Sequence, residues 1–213
     1  MSEQQPKEEK KYTLEDFCAD VLDILEAGAI SIFVFIMLFA FVMRPVTVDG
    51  GSMNPTLYNL DKILILTPLK GIHNGDIVVV NNEEGAGFAD AAQTVVERHP
   101  GLEKVLIKRV IARGGQTLDI DTDAGTVTVD GKVLVEPYIA DPTCREDGAF
   151  VYPLTVPEGY LFVMGDNRMN STDSRSPMVG LIPVECVYGT AIIRYDREDD
   201  LTQKWTDRFD LLF

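Results

Sequence analysis

Three short runs of this 213-residue chain hold side chains whose types and spacing suit chemistry. The first is Gly50-Gly51-Ser52-Met53-Asn54-Pro55-Thr56-Leu57. Two glycines ahead of a serine allow an unusual turn and close approach of another chain. Pro55 then fixes the exit and removes a backbone donor. Taken bare, Gly-Gly-Ser is a linker-like turn. Two features raise this serine: it lies eight residues beyond Arg44, and β-texture resumes directly after it. The second run is Val105-Leu106-Ile107-Lys108-Arg109-Val110-Ile111. On a strand, Leu106, Lys108 and Val110 share one face, so Lys108 is either an edge lysine or a buried one. Burial disfavours the ammonium, which is what a lysine needs to act as a base near neutral pH. The third run is Gly165-Asp166-Asn167-Arg168-Met169-Asn170-Ser171-Thr172-Asp173-Ser174-Arg175. It follows an apolar stretch and opens on turn residues. If Ser171 to Arg175 is extended, Ser171, Asp173 and Arg175 project to one side. That suits a carboxylate–guanidinium pair holding a loop, with a hydroxyl free for another partner.

Composition narrows the alternatives. A formal charge of −15 and a pI near 4.4 argue against a nucleic-acid partner. With only His73 and His99, a histidine-built metal site is not expected. Cys18, Cys144 and Cys186 form neither a CxxC pair nor zinc-ligand spacing. Cys144 and Cys186 could pair only if the domain lies outside the cytosol, and two unpaired thiols are the expectation.

The elements that must position these residues divide at Pro45. Ala27 to Met43 is 17 residues without a charge, about 26 Å as a helix, at the short end of what spans a hydrocarbon core of about 30 Å. It is apolar on all sides, so it has no polar stripe to turn toward water. Tyr12 to Glu26 places Leu14, Phe17, Cys18, Val21, Leu22 and Leu25 at helical spacing, an amphipathic lead-in to the same helix. No Ala-x-Ala pattern follows, so the segment reads as an uncleaved signal anchor. Lys7, Lys10 and Lys11 precede it and place the N-terminus in the cytoplasm. The expected division is a cytoplasmic tail over 1–20, a transmembrane signal-anchor helix over 21–44, and an extracytoplasmic β-rich domain over 45–213. Beyond Pro45, β-branched runs recur at 46–48, 62–66, 76–80, 105–111, 161–164 and 191–195. Residues 126–129 and 132–135 flank Asp130-Gly131, a two-residue hairpin signal. Asn81 to Ala92 looks like a surface insertion between strands. The fold class is mainly β: one membrane helix, then an all-β domain of Greek-key or partly closed barrel type.

Together, Ser52-Met53-x-Pro55-Thr56, Lys108-Arg109-Val110-Ile111 and Gly165-Asp166-Asn167-Arg168-x-x-Ser171-x-Asp173-Ser174-Arg175 resemble the signature boxes of bacterial type I signal peptidases, in the right order. Gly75-Asp76-Ile77-Val78-Val79 is similar to a further box. With the anchor, the likeness covers residues 20–196. It implies a membrane-bound serine endopeptidase without cofactor that removes signal peptides from exported preproteins at the outer face of the cytoplasmic membrane. Ser52 would be the nucleophile and Lys108 the general base; Ser171 would orient the lysine, and Asp173 with Arg175 would hold that loop. The Ser52 N–H would be one oxyanion donor. Val46, Val48, Met53, Leu57, Leu106 and Ile107 would line shallow apolar pockets for Ala-like residues. The expected partners are signal peptides and the lipid bilayer. Two departures stand out: Gly50 replaces a serine that supplies a second oxyanion donor in some relatives, and Ala112-Arg113-Gly114-Gly115-Gln116 lacks the acidic end of the usual glycine turn. The competing readings are a sortase-like transpeptidase using Cys144, a non-catalytic membrane assembly subunit on a peptidase scaffold, and a self-cleaving Ser–Lys regulator. The last normally carries a DNA-reading domain, for which this acidic chain has no material.

Overall fold

The structure, a computed structural model, describes residues 13–67, 71–196 and 210–212. The expected tail through Tyr12, with its three lysines, lies outside them. Helix α1 runs from Leu14 to Phe41. Thr13 caps it: its Oγ1 accepts from Asp16 N–H, while Thr13 N–H donates to Asp16 Oδ2 at 2.8 Å. Lead-in and apolar stretch thus form one unbroken helix of 28 residues, about 42 Å long at 1.5 Å per residue. It is long and apolar enough to cross a membrane, and no residue of it is buried by protein. Val42 is the C-cap and a strand begins at Met43, so the last residues of the expected span, 43 and 44, are strand rather than helix.

The β unit begins with β1 (Met43–Thr47), β2 (Lys62–Leu66), β3 (Ile77–Phe88) and β4 (Val96–Arg113). After these come β5 (Thr117–Asp121), β6 (Thr126–Val129), β7 (Lys132–Val133) and β8 (Leu154–Thr155). The chain ends with β9 (Tyr160–Met164), β10 (Ile182–Pro183), a 3-10 turn at Val184–Cys186, β11 (Val187–Asp196) and β12 (Asp210–Leu211). The main sheet has the order β1-β2-β11-β3-β4-β9-β10, with β12 on β11; a second sheet has the order β7-β6-β5-β8. Every pairing is antiparallel. The main sheet stays open. An isolated bridge between Ala86 and Leu181 ties the far end of β3 to the start of β10 without closing a barrel.

Side-chain alternation on β3 shows where the cores lie. Ile77 and Val79 join Val48, Met53, Leu57, Ile63 and Ile65 on one face. Val78 and Val80 join Val110, Leu161, Val163 and Ile182 on the other. A third cluster unites Ile111, Phe162 and Met164 with Leu118, Val127 and Leu154 of the smaller sheet. Both faces of β3 are therefore covered, which explains its continuous rather than alternating apolar run.

The segment expected to be an insertion, 81–92, is different. β3 continues through it to Phe88, pairing with Val96 to Lys104 of β4. Its polar residues hide a strand because Asn82 is buried, accepting from Leu102 N–H at 2.9 Å, while Glu83 and Glu84 face solvent. The Asp130-Gly131 hairpin forms as expected, with φ of +52° and +74° and Val129 opposite Lys132.

Candidate active site

Lys108 sits on β4 opposite Val78 of β3, in a strand whose β-branched and aliphatic neighbours favour a pleated, buried surface. Only 3% of it is exposed. Its Nζ lies 2.8 Å from Ser52 Oγ and donates to Ile107 O at 3.0 Å. Burial lowers the Lys108 pKa from 10.5 to about 8; nearby Asp173 and Asp166 push it upward but are outweighed, and Arg175 adds to the lowering. When the ammonium loses its proton, the contact reverses and the serine hydroxyl donates to the amine lone pair. A hydroxyl paired with a near-neutral base is a nucleophile ready for acyl transfer. Neither His73 nor His99 lines the cleft.

Ser52 is carried on the turn between β1 and β2. Gly50 has φ +93°, a conformation that a side chain resists, and its N–H donates to Asn59 Oδ1 at 2.8 Å. The loop after β9 packs on this turn. Asn167 N–H donates to Ser52 O at 3.0 Å, and its side-chain amide to Gly51 O at 3.1 Å. Such closeness requires Gly165: a Cβ there would come within 2.5 Å of Ser52 O and 2.3 Å of Ser171 Oγ.

That loop is fastened by buried ion pairs. Arg175 grips Asp173 through two hydrogen bonds of 2.8 Å, both side chains wholly enclosed. Burial pushes the Asp173 carboxyl upward, yet its bonds to Arg175 win and its pKa is lowered. The 171–176 segment turns rather than running extended, with Ser176 N–H on Asp173 O. Ser171 Oγ is buried without a hydrogen-bond partner among the described residues; it lies near enough to Asp173 to help its lowering. The expected orienting bond from Ser171 to Lys108 is therefore not formed here.

Sequence reasoning gave no role to a second buried cluster. Arg109 donates to both Asp166 oxygens, at 2.8 and 2.6 Å, and to Gly75 O at 2.8 Å, with its guanidinium 3.9 Å from the centre of the Tyr138 ring. Thr56 Oγ1 adds a 2.5 Å bond to Asp166. This cluster knits the lysine strand, the serine loop and the loop after β9 together. Arg168 does likewise for the segment after β7, holding Glu136 and Thr143. The signal was present, since Arg109, Asp166 and Arg168 stand inside the quoted boxes.

A cleft of about 470 Å³ opens over the pair. Of the expected pocket residues, Val46, Val48, Met53, Leu106 and Ile107 line it. Leu57 does not; it is completely buried in the core beneath, beside Met53 and Ile77. Leu102, Lys104, Val105, Arg145, Asn170 and Thr172 also line the cleft and were not foreseen. Cys144 is exposed and is not among the lining residues, and all three cysteines are free.

A family model described as signal peptidase, peptidase S26, matches residues 21–196. The chain belongs to the signal peptidase family. It is 31% identical to a signal peptidase I of Mycobacterium tuberculosis, over 88% of this chain and 74% of the relative. It is also 31% identical to one of Bacillus amyloliquefaciens, over 87% and 92%. A crystal structure of a signal peptidase I from Enterococcus faecalis aligns with 57% of this chain and 97% of its own at 26% identity and a TM-score of 0.39. As a signal peptidase, the chain is a serine endopeptidase. Membership removes the sortase-like reading of Cys144.

Proposed function

We propose that the chain removes N-terminal signal peptides from exported preproteins with a Ser52–Lys108 dyad at the outer face of the cytoplasmic membrane. The observation that carries this is the 2.8 Å contact between a buried, pKa-lowered lysine and the serine. Neutral Lys108 takes the hydroxyl proton as Ser52 Oγ attacks the scissile carbonyl carbon. The resulting oxyanion is met by the Ser52 N–H. Lys108 ammonium then protonates the leaving amine, which departs as the new N-terminus of the mature protein. Water, deprotonated by Lys108, hydrolyses the acyl-enzyme and releases the signal peptide as a carboxylate. Asp173 and Arg175 hold the loop of Ser171 against the site, and Ser171 serves as a nearby hydroxyl rather than a fixed clamp. Small side chains before the cut sit among Val46, Val48, Met53, Leu106 and Ile107.

The helix anchors residues 1–20 inside and 45–213 outside, as the lysines at 7, 10 and 11 favour. The partners are signal peptides and the bilayer, and the net charge of −15 argues against a nucleic-acid partner.

The test incubates the detergent-solubilised chain with a preprotein and sequences the new N-terminus. Ser52→Ala and Lys108→Ala should abolish cleavage, and Lys108→Arg should fail because guanidinium stays protonated. kcat/KM should rise with pH through an inflection near 8, where the lysine loses its proton. Substantial activity in Lys108→Arg, with an unchanged pH profile, would require another base for Ser52.

A further inference from the structure

The carbonyls on both sides of Ser52 are held by a single residue. Asn167 donates its side-chain amide to Gly51 O and its backbone N–H to Ser52 O. Gly51 O also accepts from Asn54 N–H at 3.2 Å. The Gly51–Ser52 peptide is trans, so its C=O and N–H lie on opposite sides of one rigid plane. Drawing Gly51 O toward Asn167 therefore turns the Ser52 N–H away from it. That N–H has no hydrogen-bond partner among the described residues, and both Gly51 and Ser52 line the cleft. The Gly50 N–H is already engaged with Asn59, so it is not a free donor beside it.

From this geometry we infer that Asn167 is a positioning residue for the oxyanion hole: its side-chain amide sets the plane of the Gly51–Ser52 peptide and so aims the Ser52 N–H at the developing oxyanion. The inference rests on the Ser52–Lys108 reading. Gly165 makes it possible, because any side chain there would separate the Asn167 loop from Ser52. An amide is required, since a carboxylate of the same shape has no N–H to donate and would face the Gly51 carbonyl oxygen. Lys108 Nζ is hydrogen-bonded to Ser52 and Ile107 rather than to Asn167, so Asn167 acts on transition-state charge and not on proton affinity.

The experiment uses the full chain in detergent with a peptide spanning a signal-peptide cleavage site, and a peptide aldehyde ending in Ala-x-Ala as the tetrahedral probe. Asn167→Ala should lower kcat roughly 10- to 100-fold, less than the loss of a direct oxyanion donor. KM should stay within about twofold, as expected when an interaction made only in the transition state is removed. The pH inflection near 8 should not move. Affinity for the aldehyde should fall in proportion to kcat. Asn167→Asp, which keeps the shape, should lose at least as much, and it decides the matter if the alanine variant fails to fold. Asn167→Asp with native kcat would overturn the inference. So would a loss confined to KM, or a fallen kcat with unchanged aldehyde affinity. Cleavage surviving in Ser52→Ala would overturn both this inference and the dyad beneath it.

Discussion

A lysine amine enclosed by protein weakens the fold for as long as it carries a proton. Lys108 has a folded pKa of about 8 against an ordinary 10.5. Below pH 8 both folded and unfolded chains hold the proton, and the full cost of burying the ammonium is present, roughly 3 kcal/mol for a shift of this size. Between pH 8 and 10.5 the unfolded chain binds more protons than the folded one, so stability rises with pH. Lys108→Met should therefore give an inactive protein that is more stable at pH 7, by up to about 3 kcal/mol. Its advantage should shrink steadily through that window, as urea denaturation at several pH values would reveal. An advantage independent of pH would mean that packing, not charge, separates the two proteins. The chemistry of this residue was legible from the sequence in part. Leu106 and Val110 beside Lys108 signalled a choice between edge and burial, and only the fold decides it. Asn167 was quoted but unread, because its importance lies in which carbonyls it meets across 116 positions of chain.

At the scale of elements, local patterns succeeded where the turn or run was self-sufficient. Asp130-Gly131 demanded left-handed backbone and received it. A Cβ on Gly131 would meet nothing within 4 Å, so Gly131→Ala tests conformation alone. It should cost about 1 kcal/mol in thermal or urea unfolding and leave cleavage unchanged. The polar end of β3 escaped detection because its order comes from distant partners: Leu102 for Asn82, and Leu181 for Ala86. Leu57 was expected among the pocket residues by resemblance, yet the turn that carries it directs the side chain into the core beside Met53 and Ile77.

For the molecule as a whole, the proposed role of the anchor turns on how little chain separates it from the serine. Ser52 follows Arg44 by eight residues, at most about 28 Å of extended chain. On the proposed topology, a signal peptide whose apolar segment still lies in lipid would be presented at that depth. A version beginning at Pro45 should keep cleaving short soluble peptides with a modest loss, while losing much more on full preproteins in lipid vesicles. Equal rates on preproteins for both versions would show that the helix contributes no substrate presentation.

The four residues Ile77 to Val80 are all 1% exposed or less, apolar clusters cover both of their faces, and β3 is paired on either side by β4 and β11. Lys108 hangs on the partner of that strand. Amide hydrogens here should be the slowest in the β unit to exchange with deuterium, opening only when the whole unit unfolds. The proposed proton acceptor, Lys108, would then sit on the last part of the domain to let water in. In a denaturant series, deuterium uptake at Ile107 to Arg109 and loss of cleavage should follow one curve. Early uptake there, with activity still intact, would place the cooperative unit elsewhere.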